Sequence, residues 1–491
     1  MNKSMKKNMS KALCAAAAAV LVCTSCFAAE EPSTQVETSS TSKVTSASTS
    51  ATSKPTETTK PDKTTAPKET TTPKETTTPK ETTPTASSTK PETTTEPPAT
   101  TEPEDKPEPA VDHGIYTAFA DFSAGLIKNT CADEIAEGKN VMISPESVLM
   151  ALGMTSEGAN GETLAQMIKT MAGEADGKTM HETLQAIYKN GSDKDAKNGD
   201  LILNCANSVW ANQSLDMTVK DEFAENIKRD YGAEITVAPF DMSTVSDINN
   251  WVKTNTNDMI PSIIDELEPL SAMVLVNAVA FEAEWSEQFS NFSVNENGVF
   301  TNLGGTEEKC TMLSSSERSY FNDGKAQAFT KYYKGGKYSF MGILPNEGVS
   351  VSDYLSELDG ESWYKLWDSR SREEVHIKMP EFSSDYDADL TAPLKVMGME
   401  LPFTDAADFS LMAEGSDSAL KIDSVVHKTH IELDRYGTKA AAATAVMMKA
   451  TSAYDPKEPK YIMLDRPYIY AIVDNETGFP LFMGVVNTVS K

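Results

Sequence analysis

The most informative stretch of this sequence lies near the C-terminus. It reads Gly437-Thr438-Lys439-Ala440-Ala441-Ala442-Ala443-Thr444-Ala445-Val446-Met447-Met448-Lys449-Ala450-Thr451-Ser452. Its four consecutive alanines favour a helix if intrinsic propensity alone decides. With a period of two, however, both lysines fall on one face and the other face is small or apolar throughout. That second face consists of Thr438, Ala440, Ala442, Thr444, Val446 and Met448. This alternation predicts a strand with one buried side, whose small residues suit entry into a sheet that already packs on a core.

The residues before this stretch favour the strand over the helix. The segment Ile431-Glu432-Leu433-Asp434-Arg435-Tyr436-Gly437-Thr438-Lys439, with the alanines up to Thr444, resembles the hinge of the reactive-centre loop of serpins. The family pattern there is close to I-E-V-N-E-E-G-T-E-A-A-A-A-T. The resemblance implies that this stretch is a surface loop that can become a strand.

Further segments resemble serpins in the family's order over the whole folded region. They are 140–147 (N-x-x-x-S-P-x-S), 158–163 (G-A-x-G-x-T), 206–210 (A-N-S-x-W), 274–281 (L-V-N-A-x-x-F), 338–345 (S-x-x-x-x-L-P), 378–382 (similar to L-P-K-F), 425–428 (V-x-H-K) and 465–468 (similar to D-H-P-F). Ile115 to Asn129 has the pattern of an amphipathic first helix, with Phe119, Phe122 and Ile127 on one side. We therefore predict an α+β serpin fold with three β-sheets, eight to nine helices and an exposed reactive-centre loop.

Composition excludes several classes of function. The 491 residues, 39% hydrophobic, can bury a large core, and the formal net charge of −29 argues against nucleic acid as a partner. We find no cluster of basic residues in the sequence that would indicate a heparin-binding site. Cys131, Cys205 and Cys310 are too scattered for a metal site or a disulfide framework, and we expect them to be buried apolar side chains. Because no nucleophile elbow or zinc-protease motif is found, we predict no enzyme, no metal and no cofactor.

The N-terminal part carries targeting and spacer signals. Residues 1–29 combine four lysines with an apolar run too short to span a membrane, which predicts a signal peptide. Alternatively, Cys26 lies in a segment that resembles a bacterial lipobox and would carry lipid, attaching the chain to a membrane. Residues 30–112 are rich in Thr, Pro, Lys and Glu and predict a disordered stalk. We place the serpin domain at 113–491 and expect an extracellular or cell-surface protein, either secreted or lipid-anchored.

The resemblance implies a suicide-type inhibitor of serine proteases that works as a monomer and forms a covalent acyl complex with its target. The implied hinge comprises Gly437, Thr438, Lys439, Ala440, Ala441, Ala442, Ala443 and Thr444. Counting the family's spacing from Gly437 puts the reactive bond at Thr451–Ser452, which would suit elastase-like or subtilisin-like proteases. Because the loop is longer than usual, Lys449, Ala450 and Tyr454 remain alternatives. A non-inhibitory surface binding protein with the same fold, whose loop is only a substrate, also remains open.

The resemblance further implies a polar cluster that governs opening of the main sheet, comprising Ser144, Ser147, Asn277, His427 and Trp210. Three hinge residues depart from the family pattern, because Arg435, Tyr436 and Lys439 stand where it has glutamates. We expect Arg435 to remove a salt bridge at the hinge. Lys439 falls on the solvent face by its parity, so we expect the sheet to tolerate it.

Overall fold

The computed structural model describes residues 113–191, 201–215, 217–269, 271–415, 420–438 and 458–490. Within these ranges the α-helices are α1 (Ile115–Ala136), α2 (Pro145–Ser156), α3 (Gly161–Ala172), α4 (Gly177–Gly191), α5 (Asp221–Tyr231), α6 (Met242–Asn255), α7 (Val351–Ser356), α8 (Gly360–Asp368) and α9 (Thr391–Val396). Two 3₁₀ turns lie at Asn291–Ser293 and Leu401–Phe403.

The strands, in chain order, are β1 (Val141–Ile143), β2 (Leu201–Asn212), β3 (Thr218–Val219), β4 (Glu234–Ala238), β5 (Met273–Glu284), β6 (Val294–Thr301), β7 (Glu307–Glu317), β8 (Tyr320–Asn322), β9 (Ala326–Tyr332), β10 (Tyr338–Pro345), β11 (Val375–Pro380), β12 (Phe382–Asp389), β13 (Ala413–Glu414), β14 (Val426–Leu433), β15 (Gly437–Thr438), β16 (Lys460–Met463), β17 (Tyr468–Asp474) and β18 (Pro480–Val486).

Three large sheets and one two-stranded ladder contain these strands. The sheet that we call the main sheet has the order β12-β14-β15-β5-β2-β4. A core sheet has the order β1-β18-β17-β10-β9-β8, and a small sheet has the order β16-β11-β7-β6. Strands β17 and β18 are buried almost throughout, as their continuous apolar runs require of central strands. The remaining ladder pairs β13 with β3.

The main sheet lies between two helices. On its inner side α2 packs against β5 and β18, and eleven of its twelve residues are buried. The start of α2 follows from its sequence, because the Ser144 side chain accepts a hydrogen bond from the Ser147 N–H and Pro145 occupies the first helical position. On the outer side, Ile248 and Val252 of α6 pack over the sheet. Helix α2 thus covers one face of the main sheet and α6 the other.

The predicted α+β serpin fold with three sheets is confirmed, and nine α-helices fall within the described ranges. The first helix is longer than predicted and ends at Ala136, with the predicted side chains of Phe119, Phe122 and Ile127 buried. Of the cysteines whose side chains the structure describes, Cys131 is buried and Cys310 half-buried, and both are free thiols. Burial raises the pKa of the Cys131 thiol to about 12, so this side chain is inert at neutral pH.

Among the described residues, no helix is long and apolar enough to cross a membrane.

Candidate functional site: the loop hinge in the main sheet

Strand β14 of the main sheet ends in a tight turn over residues 434–437. Asp434 donates its backbone N–H to the Gly437 carbonyl oxygen at 2.9 Å. Its carboxylate Oδ1 accepts hydrogen bonds from the backbone N–H groups of Tyr436 (2.7 Å) and Gly437 (3.1 Å). Aspartate favours such turns because its short side chain can bond to backbone groups two or three residues further on. The turn is therefore encoded locally, by Asp434.

Residues that follow β5 hold this turn in place. The backbone N–H of Trp285 donates to the Tyr436 carbonyl oxygen, and the indole Nε1 donates to the Asp434 carbonyl oxygen, both at 2.9 Å. The N–H of Phe289 donates to the Arg435 carbonyl oxygen at 3.1 Å. Trp285 is fully buried. The hinge thus rests on a rigid aromatic support.

After the turn, Gly437 and Thr438 form a short strand between β14 and β5. Thr438 pairs with Leu433 on one side and with Ala283 on the other, and both pairings are antiparallel. A Cβ atom at Gly437 would lie 2.0 Å from the Ala283 carbonyl oxygen, so only glycine fits there. Among the described residues, these two are the only ones that bridge β14 and β5. They form the first rung of an additional strand.

The side chain of Thr438 points into the protein. It is 2% exposed, and its hydroxyl group lies 2.6 Å from the hydroxyl of Tyr333. The Tyr333 ring is stacked on Trp285, with 4.5 Å between the ring centroids. A small residue that can form a hydrogen bond suits this position, whereas a large or charged one would not fit.

Beyond the first rung, β5 and β14 line a groove of about 660 Å³. The floor of the groove is α2, which contributes the apolar side chains Val148, Ala151 and Leu152. Its two sides are residues 273–277 of β5 and 425–428 at the start of β14. The groove therefore continues the line along which Gly437 and Thr438 enter the sheet.

Four of the five predicted cluster residues meet at this groove. The backbone N–H of Ser144 donates to His427 Nε2 at 3.0 Å, and the Ser147 hydroxyl donates to Asn277 Oδ1. Asn277 in turn donates to Asn207 Oδ1 at 2.7 Å. The cluster joins α2 to strands β14, β5 and β2. It spans the groove, so widening the groove must change it.

Trp210 does not belong to this cluster, and its predicted placement there is wrong. Its indole Nε1 donates to the Ser208 hydroxyl at 3.0 Å, and its ring packs with Ile248 and Val252 of α6. Successive residues of a strand face opposite sides of the sheet, so Trp210 and Asn207 cannot share a face. The cluster residue on β2 is Asn207, the asparagine of the A-N-S-x-W motif. It was not among the predicted cluster residues.

His427 is neutral at physiological pH. It is 5% exposed, and desolvation lowers the pKa of its imidazole to about 4. Because Nε2 accepts the hydrogen bond from Ser144, the proton of the neutral ring is on Nδ1. A positively charged imidazole would lose this acceptor. The cluster is therefore intact only when His427 is uncharged.

The hinge salt bridge that Arg435 was expected to remove is present. Arg435 Nε lies 3.3 Å from Glu381 Oε1, and the Arg435 backbone N–H donates to the same oxygen at 3.2 Å. Glu381 stands at the lysine position of the L-P-K-F pattern, and Arg435 stands at a glutamate position of the hinge pattern. The two charges are exchanged together. The prediction for Arg435 took account of the hinge pattern alone. The L-P-K-F pattern at Glu381 also departs from the family in charge, and the two departures together predict an ion pair between Arg435 and Glu381.

We expect a double-mutant cycle to show this pairing. Arg435→Glu and Glu381→Lys should each lower the free energy of unfolding of the intact chain by about 1 kcal/mol, since each single change places like charges together. The double variant should recover most of that loss. Chemical denaturation measures all four proteins.

Glu381→Gln is the matched control for this cycle, because the amide oxygen can still accept from the Arg435 N–H but carries no charge. If the double variant lost the sum of the two single losses, the exchanged ion pair would not stabilise the hinge.

The other predicted site residues lie outside the described ranges. They are Lys439 to Thr444 of the hinge, the reactive-bond candidates Lys449, Ala450, Thr451, Ser452 and Tyr454, and Cys26. Within the ranges that the structure does describe, no three His, Cys, Asp or Glu side chains are grouped so that they could hold a metal ion.

The fold and the hinge together define a class of protein whose main sheet holds a short strand, Gly437–Thr438, between β14 and β5. A family model described as "Serpin (serine protease inhibitor)" matches residues 117–489. The uncharacterized serpin-like protein TK1782 of Thermococcus kodakarensis is 31% identical over 373 residues, which cover 75% of this chain and 84% of that protein.

Solved structures and other known proteins show the same similarity to serpins. The crystal structure of a thermophilic serpin, tengpin, in the native state matches with a TM-score of 0.70 at 37% identity, covering 78% of this chain and 96% of that chain. Corticosteroid-binding globulin of Pongo abelii is 28% identical over 382 residues, covering 76% of this chain and 90% of that protein. This chain belongs to the serpin family.

Proposed function

We propose that this chain is a suicide-type inhibitor of serine proteases. The observation that supports this is the first rung at Gly437–Thr438, seated between β14 and β5, together with a groove between the far parts of the same two strands, at residues 273–277 and 425–428. A surface loop attached to such a rung can add the rest of a strand to the sheet once it is cut. The protease is the partner, and the chain itself supplies no catalytic group.

The chemistry belongs to the protease. Its serine oxygen attacks the carbonyl carbon of the residue before the reactive bond, which we call the bait residue, and the protease histidine takes the serine proton. The peptide C–N bond breaks, the new amine takes that proton, and an ester joins the bait residue to the protease. The loop then has a free end that carries the protease.

The register of the first rung sets the position of every later residue. The pairing with β5 is antiparallel, so the residue numbers rise along the loop as they fall along β5. If the register continues without a shift, residues 439–448 would pair with residues 282–273. The inward positions are then 440, 442, 444, 446 and 448, which is the small or apolar face of the sequence. This agreement between register and composition supports insertion over the whole length of β5.

Thr444 has a special place in this register. If the pairing of Thr438 with Leu433 and Ala283 is extended without a shift, an inserted Thr444 would fall opposite Asn277 on β5 and His427 on β14 and would point inward. An inserted Thr444 would therefore bring its hydroxyl group to the polar cluster above α2. Insertion would replace contacts across the groove with contacts to the new strand.

The hydrogen-bond energy of the inserted strand and the distance over which the protease is moved both favour trapping of the protease. About a dozen new backbone hydrogen bonds, each worth ~1 kcal/mol net, would stabilise the inserted form. If Thr451 carries the protease, ~13 steps of ~3.3 Å move it by about 40 Å. Distortion of the protease over this path would prevent release of the ester.

The direct test combines capture with melting. We expect elastase-like or subtilisin-like enzymes to give an adduct that survives SDS, and the mass of the released C-terminal peptide to identify the bait bond. A chain nicked in its loop by a protease that is not trapped should melt well above the intact chain. A cut loop with no adduct and no rise in melting temperature would contradict the proposal.

The same test separates the alternative function. In a non-inhibitory serpin-fold binding protein the loop is only a substrate, as the relation to corticosteroid-binding globulin allows. Such a protein would release every protease molecule intact. The bait residue decides the target class: Thr451 would suit elastase-like enzymes, Lys449 trypsin-like ones and Tyr454 chymotrypsin-like ones.

We also propose that the chain is exported and acts outside the cell, on the basis of its N-terminal 29 residues and the composition of residues 30–112. Cys26 would anchor it if lipidated. Incorporation of a fatty-acid analogue into the wild type, and its loss in Cys26→Ser, would distinguish an anchored protein from a secreted one.

A further inference from the structure

A lysine side chain is buried beside the residues that hold the hinge. Lys331 of β9 is 2% exposed, and lysine is almost never buried to this extent unless its charge is paired. Its partner is Glu317 of β7, whose carboxylate Oε1 lies 2.9 Å from the Lys331 ammonium Nζ. The same oxygen accepts a hydrogen bond from the Ser315 hydroxyl at 2.6 Å. A largely buried ion pair thus joins the core sheet to the small sheet.

The Lys331 ammonium also lies over two aromatic rings. Its Nζ is 4.4 Å from the centroid of the Phe289 ring and 5.7 Å from the centroid of the Trp285 ring. A cation within about 6 Å of a ring centroid is attracted by the negative face of the ring, and the attraction is stronger away from water. Both rings are buried and meet edge to face, with 6.2 Å between their centroids. One charge therefore contacts both rings.

These two aromatic residues bind the hinge turn through three hydrogen bonds. The carbonyl oxygens of residues 434, 435 and 436 accept, in that order, from the Trp285 indole N–H, the Phe289 backbone N–H and the Trp285 backbone N–H. The first rung, Gly437–Thr438, follows directly after this turn. The place of the rung between β14 and β5 therefore depends on where Trp285 and Phe289 lie.

We propose that Lys331 is the positioning residue of the hinge. Its ammonium holds the rings of Trp285 and Phe289 at the places from which these residues bind the turn, and Glu317 holds the ammonium. The ion pair thereby links the core sheet and the small sheet to the rung in the main sheet. The position of the hinge is a property of the intact chain, whereas any effect on protease capture rests on the proposed function.

Stability of the fold does not by itself require charges at this place. Removing two charges from water costs free energy that their attraction often fails to return, and replacement of a buried ion pair by apolar side chains is frequently neutral or stabilising. Apolar side chains at positions 317 and 331, however, would not attract the aromatic rings electrostatically. An apolar replacement should therefore preserve the stability of the fold and loosen the hinge, and these two effects can be measured separately.

The test uses the full chain with the double substitution Lys331→Met/Glu317→Leu, which removes both charges and leaves none unpaired. Its midpoint of denaturant unfolding should equal or exceed that of the wild type. Hydrogen exchange measured by mass spectrometry over residues 284–290 reports the backbone N–H groups of Trp285 and Phe289. Exchange there should be about tenfold faster than in the wild type, because the bonds to the hinge open more often.

The matched control makes the same substitutions in an exposed ion pair. Lys325, which directly precedes β9, pairs with Glu357, and both side chains are exposed. Lys325→Met/Glu357→Leu should leave exchange over residues 284–290 unchanged. With a protease that the wild type traps, Lys331→Met/Glu317→Leu should consume about 3- to 10-fold more inhibitor molecules per trapped protease, and the control should not, because a displaced rung slows insertion while hydrolysis of the ester continues.

Each outcome decides the role of Lys331. Unchanged exchange over residues 284–290 in Lys331→Met/Glu317→Leu would overturn it, whatever the protease assay gives. A double variant that does not fold, or that unfolds at lower denaturant and exchanges faster throughout, would make the ion pair a general stabiliser and would also overturn it. Phe289→Leu, which removes the nearer ring and keeps both charges, should speed exchange over the same residues. If the wild type traps no protease, the proposed function fails, and the exchange experiment still decides whether Lys331 positions the hinge.

Discussion

Thr438→Arg is expected to abolish the proposed inhibition and to leave a chain that a protease only cleaves. The side chain at position 438 lies 2% exposed between Leu433 and Ala283, beside the hydroxyl of Tyr333. An arginine there must either bury an unpaired charge, at several kcal/mol, or leave the sheet and undo the first rung. Because each ~1.4 kcal/mol changes a rate or population tenfold, the fraction of protease captured should fall by more than tenfold. Gel quantification of adduct against cleaved inhibitor measures that fraction.

Thr438→Ser is the matched control. It keeps the hydroxyl that meets Tyr333 and adds no volume, so its captured fraction should stay within twofold of the wild type. The nicked Thr438→Arg chain should also melt little above its intact form. Full capture by Thr438→Arg would mean that insertion does not pass through the rung seen at this position.

Glu146→Gln is expected to stabilise the intact chain, and the gain should grow as pH rises. Glu146 lies in the first turn of α2, is 1% exposed, and neither carboxylate oxygen has a hydrogen-bond partner within the described residues. Burial raises the pKa of this carboxyl group from 4.5 to about 8; Asp474 adds to the shift and Lys337 opposes it. A carboxylate near a helix N-terminus is usually favoured, but here desolvation outweighs the helix dipole.

The direction of the pH effect follows from which state holds the proton. Between pH 4.5 and about 8 the folded chain keeps Glu146 protonated while the unfolded chain does not. Stability is therefore lost as pH rises through this range, by up to ~1.4 kcal/mol per pH unit. Glutamine resembles the protonated acid at every pH. Its advantage over the wild type should thus approach about 5 kcal/mol above pH 8.

Denaturant unfolding at pH 5.5, 7 and 9 measures this difference. Glu162→Gln is the matched control, because Glu162 occupies the first turn of the next helix, α3, but is exposed. It should change stability by less than ~0.5 kcal/mol at each pH. A pH-independent gain in Glu146→Gln would show that the carboxyl group does not hold its proton in the folded chain.

His427 limits stability from the acid side. Its folded pKa of about 4 lies below the ordinary 6.5, so the unfolded chain gains a proton first as pH falls. The stability that neutral His427 contributes is present above pH 6.5 and is lost as pH falls toward 4. Between pH 4.5 and 6.5 the stability gained through His427 as pH rises offsets the stability lost through Glu146, so these two groups together favour the intact chain most in that range.

Much of the hinge could be predicted from the order of the residues. Alternation with a period of two assigned Thr438 to a buried face before any partner strand was known, and the first rung bears this out at that residue. Local turn chemistry at Asp434 and the helix start at Ser144 and Pro145 act over three or four residues, so the sequence carries them directly.

Other features depend on residues far apart in the chain. Glu381 and Arg435 are separated by 54 positions, and the charge exchange between them has meaning only once β12 and β14 lie side by side. Trp210 was assigned to the wrong face because a motif gives its position on β2 but does not show which face meets α6. Glu146 looked like an ordinary acidic residue in a first helical turn.

Residue order alone was enough to predict the serpin family, the α+β fold and the burial of Thr438 at the start of the hinge, because periodicity, turn residues and ordered motifs are local properties. Tertiary packing alone established that Gly437 and Thr438 form a rung, that Arg435 has a partner, and that Glu146 is buried with no hydrogen-bond partner among the described residues. Each of these is a matter of distance and solvent exclusion between segments that folding brings together. Such quantities do not exist along the chain until the sheets have packed.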